Sequence, residues 1–429
     1  MFRACRIAVA TLLGWALWNP LSVEAQQAPV FQAPVYQVPT VSEPFPYLGQ
    51  MAAPPGGAWH GNQNVGRNPE PFPNLGREPI FGKAYFRAEY LDWNIESPGD
   101  VLLGTQIAGV PDPRGLFPVT DVFGTVIGAA TVPTTKNLDL DGNNGFRGTI
   151  GIEFARGGAV EFGGFVLQKA YAADGEFGLL NRVIAFVPPP TILNPGPNAP
   201  VILPRLIATS TLVNGQIGNN IETYNNSYTA VYASQLASGE ASVVWDYFDG
   251  NVVTIKGIAG FRFIRLMESL NQEGVFTDVI VGQNLVSEID SSTTNDLYGG
   301  MAGLRAEMNW KRLTFGVQPR FGLAGNAATA TVRSNNFRSL ADGEHITNTR
   351  ETLATPMFDL GVYARFGVTK NLSVNVGYNF LWLGQITRPE DNVFYNSNGP
   401  FPTPPDIHVD MKNNSFRVDG VSAGAEYRF

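Results

Sequence analysis

Residues 313–323 read LTFGVQPRFGL. Leu313, Phe315, Val317, Phe321 and Leu323 fall on one side of an extended chain, and Thr314, Gln318 and Arg320 on the other. A period of two with one apolar and one polar face marks a β-strand. The same alternation runs through Phe146–Arg156, Phe358–Phe366 and Leu372–Trp382. It is weaker in Ala84–Trp93, Ala159–Gln168, Gln235–Tyr247, Val252–Leu266, Asp296–Met308 and Ser415–Phe429. The pattern predicts about ten strands, within a range of roughly eight to fourteen. Gly163-Gly164 breaks the phase of one strand and predicts a bulge there.

The connections carry as much information. Arg156-Gly157-Gly158, Asp249-Gly250-Asn251, Asn309–Arg312 and Val368–Asn371 are turn-like and short. Between them lie polar stretches, 94–144, 170–234, 267–294, 325–356 and 384–414, expected to be long loops. Strict alternation of short and long connections is what an antiparallel transmembrane β-barrel needs, with short periplasmic turns and long outer loops. Composition agrees. Charged residues are only 15% of the chain, Gly numbers 47, and the net charge is -8. The acidic balance argues against a nucleic-acid partner.

Residues 1–25 have the form of a secretory signal: Arg3 and Arg6, then the apolar stretch Ile7–Trp18, with cleavage expected before Gln26. Beyond it no apolar run reaches the roughly 18 residues of a helical span. The single cysteine, Cys5, lies in that leader, so the rest of the chain has no thiol for a disulfide or a metal. Residues 26–82 are proline-rich and predict an extended periplasmic linker, a spacer or an arm touching the cell wall. Residues 83–429 form the barrel.

In such a barrel the apolar parity faces lipid and the polar parity lines the lumen. Trp93, Trp245, Trp310 and Trp382 fall near strand ends and are expected to form the aromatic girdle. The polar parity carries Arg87, Glu89, Arg147, Glu153, Asp246, Lys256, Arg262, Arg305, Glu307, Arg320, Asp359, Arg365, Arg417, Glu426 and Arg428. Both signs interleave, so these side chains are expected to pair and fill a lumen of this size. The last strand alternates Val421, Ala423, Ala425, Tyr427 and Phe429 on one face. Its terminal aromatics, Tyr427 and Phe429, are expected to be the signal read by the barrel-insertion machinery.

Five segments, KAYFRAEYLDW (83–93), GIAGFRFIRLMESL (257–270), NDLYGGMAGLRAE (295–307), VGYNFLWLGQITRPED (376–391) and GVSAGAEYRF (420–429), carry a family resemblance. The chain resembles the planctomycete outer-membrane β-barrel proteins of unknown function. Glycine–aromatic strand segments and an Arg-Pro after the penultimate strand carry the likeness. It implies a barrel and supplies no catalytic residues.

Chemistry-bearing motifs are sparse. His60 is in the linker, and His345 and His408 are in expected loops beside Asp342 and Glu344, and Asp406 and Asp410. A general base needs a positioned partner about 3 Å away, which spacing alone does not supply. Asp139–Gly145 suggests a calcium loop but has Asn144 and Ile150 where the EF-hand pattern needs Gly and Glu. The expectation is therefore a bacterial outer-membrane barrel with no catalytic, metal or cofactor site. Its expected role is structural or surface-interacting, with lipid, insertion machinery and cell wall as partners. The alternatives are a porin-like channel for small polar solutes and a secreted soluble β protein binding carbohydrate.

Overall fold

The computed structural model describes residues 81–121, 123–140, 142–154, 158–188, 199–250, 252–398 and 405–429. The leader, and the linker up to residue 80, lie outside the described residues. Ten long strands are β1 (Phe81–Ile95), β2 (Asn143–Phe154), β3 (Ala159–Leu167), β4 (Ser227–Asp249) and β5 (Val253–Asp278), then β6 (Gln283–Trp310), β7 (Leu313–Asn335), β8 (Glu344–Gly367), β9 (Leu372–Thr387) and β10 (Asn413–Arg428). Each pairs antiparallel with its neighbour in the chain. β10 pairs back with β1, from Tyr85 opposite Arg428 to Ile95 opposite Val418. The sheet is thus a closed antiparallel ring, with no open edge to leave backbone groups unpaired in lipid. No helix among the described residues is long and apolar enough to cross a membrane.

All ten expected strands are present, but five are much longer than expected. β4 to β8 run 23 to 28 residues, where a membrane crossing needs about 9–11. The stretches 267–294 and 325–356, expected as long loops, are instead the upper arms of two hairpins. Only 279–282 and 336–343 lie outside the strands there. Their Ser, Thr and Asn content imitates a loop because both faces differ from those of the lower arms, as described below. The expected bulge at Gly163-Gly164 is also absent. Both glycines pair in continuous register with Glu240 and Gly239 on one side and Thr149 and Gly148 on the other. Glycine is needed there for close approach: a Cβ on Gly164 would stand 2.7 Å from the Ser238 carbonyl oxygen.

One side of the ring is lower, since β1, β2, β3, β9 and β10 have 9 to 16 residues. The long connections rise over that side. Ala170–Phe177 continues the line of β3 beside β4. Phe117–Thr120, Val126–Thr131, Val201–Val213, Gln216–Tyr224 and Asn396–Ser397 form a separate cap sheet. Phe117, Val119, Ala130, Leu206 and Ala208 make part of its own apolar core.

Candidate functional site

The lumen is where the chain concentrates its buried charge. Inward positions of neighbouring strands meet across a narrow ring, so partners come from strands far apart in sequence. Arg305 of β6 donates two bonds of 2.7 Å to the Glu161 carboxylate of β3, and Tyr85 of β1 also donates to Glu161. Arg262 and Arg320 converge on Asp359 at 2.5 and 2.9 Å, and Arg320 also holds Glu240 at 3.0 Å. Arg87 pairs with Glu426 at 2.6 Å, while Arg365 reaches Glu307 at 3.1 Å and Glu426 at 3.5 Å. Arg147 lies 3.5 Å from Glu89, whose other oxygen accepts from Asn375 at 2.7 Å. Nearer the short-turn rim, Glu153 pairs with Arg428 and Asp246 with Lys256. Charge-assisted bonds of this kind satisfy the ions and cancel their field. They leave two cavities in this layer, of about 80 Å³ and, toward the short-turn rim, about 180 Å³, room for waters.

Above the charges the lumen changes character. Leu91, Trp93, Ile95, Phe165, Leu167, Leu236, Ile264, Leu266, Leu381, Leu383, Phe416 and Val418 point inward and pack into one buried cluster. Trp93 meets Phe165 edge-on at 4.9 Å, and the guanidinium of Arg147 lies 5.2 Å from the Trp93 ring centroid. The topmost cation therefore lies against an aromatic ceiling.

A polar latch closes the mouth over this apolar layer. It comes from the connection between β9 and β10. Arg388, 4% exposed, donates to both oxygens of Glu268 on β5 at 3.1 Å. The Tyr232 hydroxyl donates to Glu390 at 2.9 Å, Ser291 donates to the Pro389 carbonyl at 2.8 Å, and Asn295 donates to the Thr387 carbonyl at 2.8 Å. Burial, with the neighbouring Glu268 adding to it, pushes the Glu390 carboxyl up to about 8. In the cap, burial next to Asp342 likewise pushes Glu222 up to about 8.

The expected site residues divide accordingly. Arg87, Glu89, Arg147, Glu153, Arg262, Arg305, Glu307, Arg320 and Arg365 all face the lumen and carry the contacts above. Arg417 does not. It shares parity with Val421 and Tyr427 on the outer wall, is 56% exposed in its side chain, and lies 4.0 Å from Asp419. Trp93 is no girdle residue either. At 3% exposed it faces inward with Tyr85, Arg87 and Glu89, and Gly420 opposite leaves space for it. Trp245 and Trp310 do face outward near the short-turn rim, 43% and 66% exposed, and Trp382 is on the outer wall higher up. Tyr427 and Phe429 are exposed, with their rings edge-on at 5.0 Å.

Several central groups are missing from the sequence reading: Glu161 and Glu240 in the charged layer, and Tyr232, Glu268, Arg388 and Glu390 in the latch. Glu161 was readable, two places after Ala159 on the inward parity. The Arg-Pro pair, Arg388-Pro389, was visible as a motif but not as a latch. The acid–histidine groupings resolve differently from their spacing. His408 Nδ1 lies 2.9 Å from Asp406, while Asp410 pairs with Lys412. Asp342 accepts from the Arg338 and Ser339 amides, and Glu344 pairs with Arg333, so neither serves His345. Asp139 accepts from Ser97, and no metal-holding group of three His, Cys, Asp or Glu side chains occurs among the described residues.

A closed antiparallel ring with a lipid-facing apolar belt and a charged interior is a transmembrane β-barrel of outer-membrane type. The chain belongs to the family described as "Putative beta barrel porin-7 (BBP7)", whose model matches residues 85–429. No curated protein matches the chain. Among solved structures, it is similar to the outer-membrane protease OmpT of Escherichia coli, with 10% identity over 81% of this chain and 98% of that one and a TM-score of 0.42. A Pseudomonas aeruginosa FadL homologue has 11% identity over 80% and 90% of the two chains, with a TM-score of 0.19. An anion-selective porin of Comamonas acidovorans has 11% identity over 81% and 100%, with a TM-score of 0.12. Similarity at this level bears on neither activity nor substrate.

Proposed function

We propose that this protein is a closed outer-membrane barrel with a structural or surface-interaction role, carrying its cap and tall hairpins as the extracellular part. The supporting observation is the double closure of the lumen, by paired charges below and a packed apolar layer with its latch above. A diffusing ion would have to break buried ion pairs and then cross hydrocarbon side chains, both costly. No catalytic residue is assigned, since neither loop histidine has a second catalytic partner in place. The test is conductance of the purified barrel in planar bilayers. Steps absent at 1 M salt in about 100 mV agree with the reading. Steady porin-like steps would sink it and favour the rival channel for small polar solutes, which the family description supports. Within this reading, Tyr427 and Phe429 face the insertion machinery, the linker 26–82 reaches toward the cell wall, and a planctomycete source follows from the resemblance alone.

A further inference from the structure

Two cations hold the strap that runs from β9 over the mouth, residues 387–397, and each of them faces two acids. Arg388 and Arg338 are 4% and 11% exposed in their side chains. At the near end Arg388 donates to both oxygens of Glu268 and lies 3.3 Å from Glu390. The Tyr232 hydroxyl, from β4, donates to the same Glu390 carboxyl. At the far end Arg338, in the turn between β7 and β8, lies 3.5 Å from Asp342 and donates to the Ser397 hydroxyl at 3.3 Å. Glu222 of the cap faces this cation and this Asp342, with Tyr224 beside it on its own strand.

One guanidinium compensates one carboxylate. The second acid of each cluster, Glu390 or Glu222, is therefore buried as a neutral carboxyl, since a second negative charge would stand uncompensated. Ser234 and Thr293 lie opposite Glu268 on either side, and their hydroxyls have no hydrogen-bond partner among the described residues. Neither stabilises an added charge. An ionised Glu222 also competes with Ser397 for Arg338.

The strap is hinged as well. β9 loses its register with β10 between Leu383 and Ile386. Gln385 in that gap has φ +49°, a left-handed backbone uncommon for a residue with a side chain. The Asn326 and Thr355 side chains donate to its carbonyl at 3.2 and 3.3 Å. Such residues at the end of an element are where a segment turns as a unit.

We propose that the strap is a proton-held lid: it lies closed over the mouth while Glu390 and Glu222 are neutral, and it swings about Gln385 to uncover the upper lumen when both ionise. Each acid is neutral with the strap down and free to ionise with it up, so closure is favoured at low pH and lost as pH rises. The inference rests on the closed mouth of the preceding reading. It is separate from conduction, because the paired charges of the lower lumen lie outside both clusters.

The test reads access beneath the lid, using the full chain in phosphatidylcholine vesicles. Ser234→Cys in a Cys5→Ser background places a single thiol where the native hydroxyl is buried without a partner. Its rate of modification by a water-soluble maleimide is divided by that of Ser292→Cys, exposed on the outer wall, which removes the thiol's own ionisation from the comparison. The ratio is expected to rise at least about tenfold between about pH 6.5 and about pH 9. Glu222→Gln/Glu390→Gln keeps both side chains neutral at every pH and should hold the ratio flat. Heat-modifiable migration checks that the barrel stays folded. Glu390→Gln alone, expected to halve the rise on a logarithmic scale, stands in if the double variant does not fold. A flat ratio in the parent protein would overturn the proposal, as would an equal rise in the Gln variants. Conductance steps with a pH-dependent ratio would overturn the closed barrel and leave the lid, whereas silent bilayers with a flat ratio would do the reverse.

Discussion

The lower and upper arms of the same strands are built inside out relative to each other. On β5, Phe261 and Phe263 face outward and Arg262 inward. Two residues on, Arg265 faces outward and Ile264 and Leu266 are buried in the lumen. β6 switches at the paired level, where outward Tyr298 gives way to outward Asp296, which holds Arg265 at 2.6 Å on the outer wall. Higher still the outer wall shows Ser292, Asn271 and Asp290. The alternation never changes period. What changes is the solvent, lipid outside the lower arms and water outside the upper ones. Below, apolar side chains gain nothing by turning in, and the interior must hold the polar parity. Above, the hydrophobic effect acts in its usual direction and fills the lumen with Leu, Ile, Phe and Trp.

That contrast can be broken at defined points. The largest effect is expected in the charged layer. Glu161→Leu strands Arg305 among buried groups and should cost about 3–5 kcal/mol in reversible urea unfolding from vesicles. Adding Arg305→Met should restore most of it, and failure to do so would mean that Arg305 is solvated. In the apolar layer, Leu266→Ala should cost about 2–5 kcal/mol in the same assay through transfer and cavity terms. A negligible loss would show that the upper lumen is wet. On the outer wall of β6, Leu304→Arg should cost about 2–4 kcal/mol, because it moves a charge into hydrocarbon. Ser292→Arg, on the same face and strand but above the belt, should stay within about 0.5 kcal/mol. Equal costs would erase the boundary.

The smallest effect concerns the latch. Glu390 is shifted upward by burial to about 8, so its protonated form is favoured when folded. The stability it contributes is fully present below its unfolded value and is lost as pH rises toward 8. Amide exchange in residues 384–392 should therefore quicken by about tenfold or more between pH 6 and 9 after correction for intrinsic rates. Glu390→Gln should flatten that dependence. Tyr232, Glu268 and Arg388 face this carboxyl, and an unchanged slope in the variant would sink the assignment to Glu390.

The lower arms were legible because period-two alternation is a local property and lipid makes it strong. LTFGVQPRFGL at 313–323 placed β7 and its faces correctly from eleven letters. The upper arms were not. In GNAATATVRSN at 325–335 the outward residues are Gly, Ala, Thr and Arg and the inward ones Asn, Ala, Val and Ser. Neither side is apolar enough to announce itself, yet this stretch pairs along its whole length with β6 and β8. Trp93 misled for a related reason, since its distance from the strand end suited a girdle and only its odd parity with Arg87 and Glu89 pointed inward.

By itself the sequence determined a barrel of about ten strands, within a range of roughly eight to fourteen, the order of short turns and the lipid-facing parity of the lower wall, and five of its segments carried the resemblance to outer-membrane barrels. The first three follow from spacing along one strand or from the turn after it. The tertiary structure alone decided which charge meets which across the lumen, how far the strands rise above the membrane, and that Arg388 and Glu390 close the mouth. Glu161 and Arg305 are 144 residues apart, and Arg388 and Glu268 are 120 apart. Such pairs are set by the radius and stagger of the closed ring, a global condition on all ten strands at once, which no local period encodes.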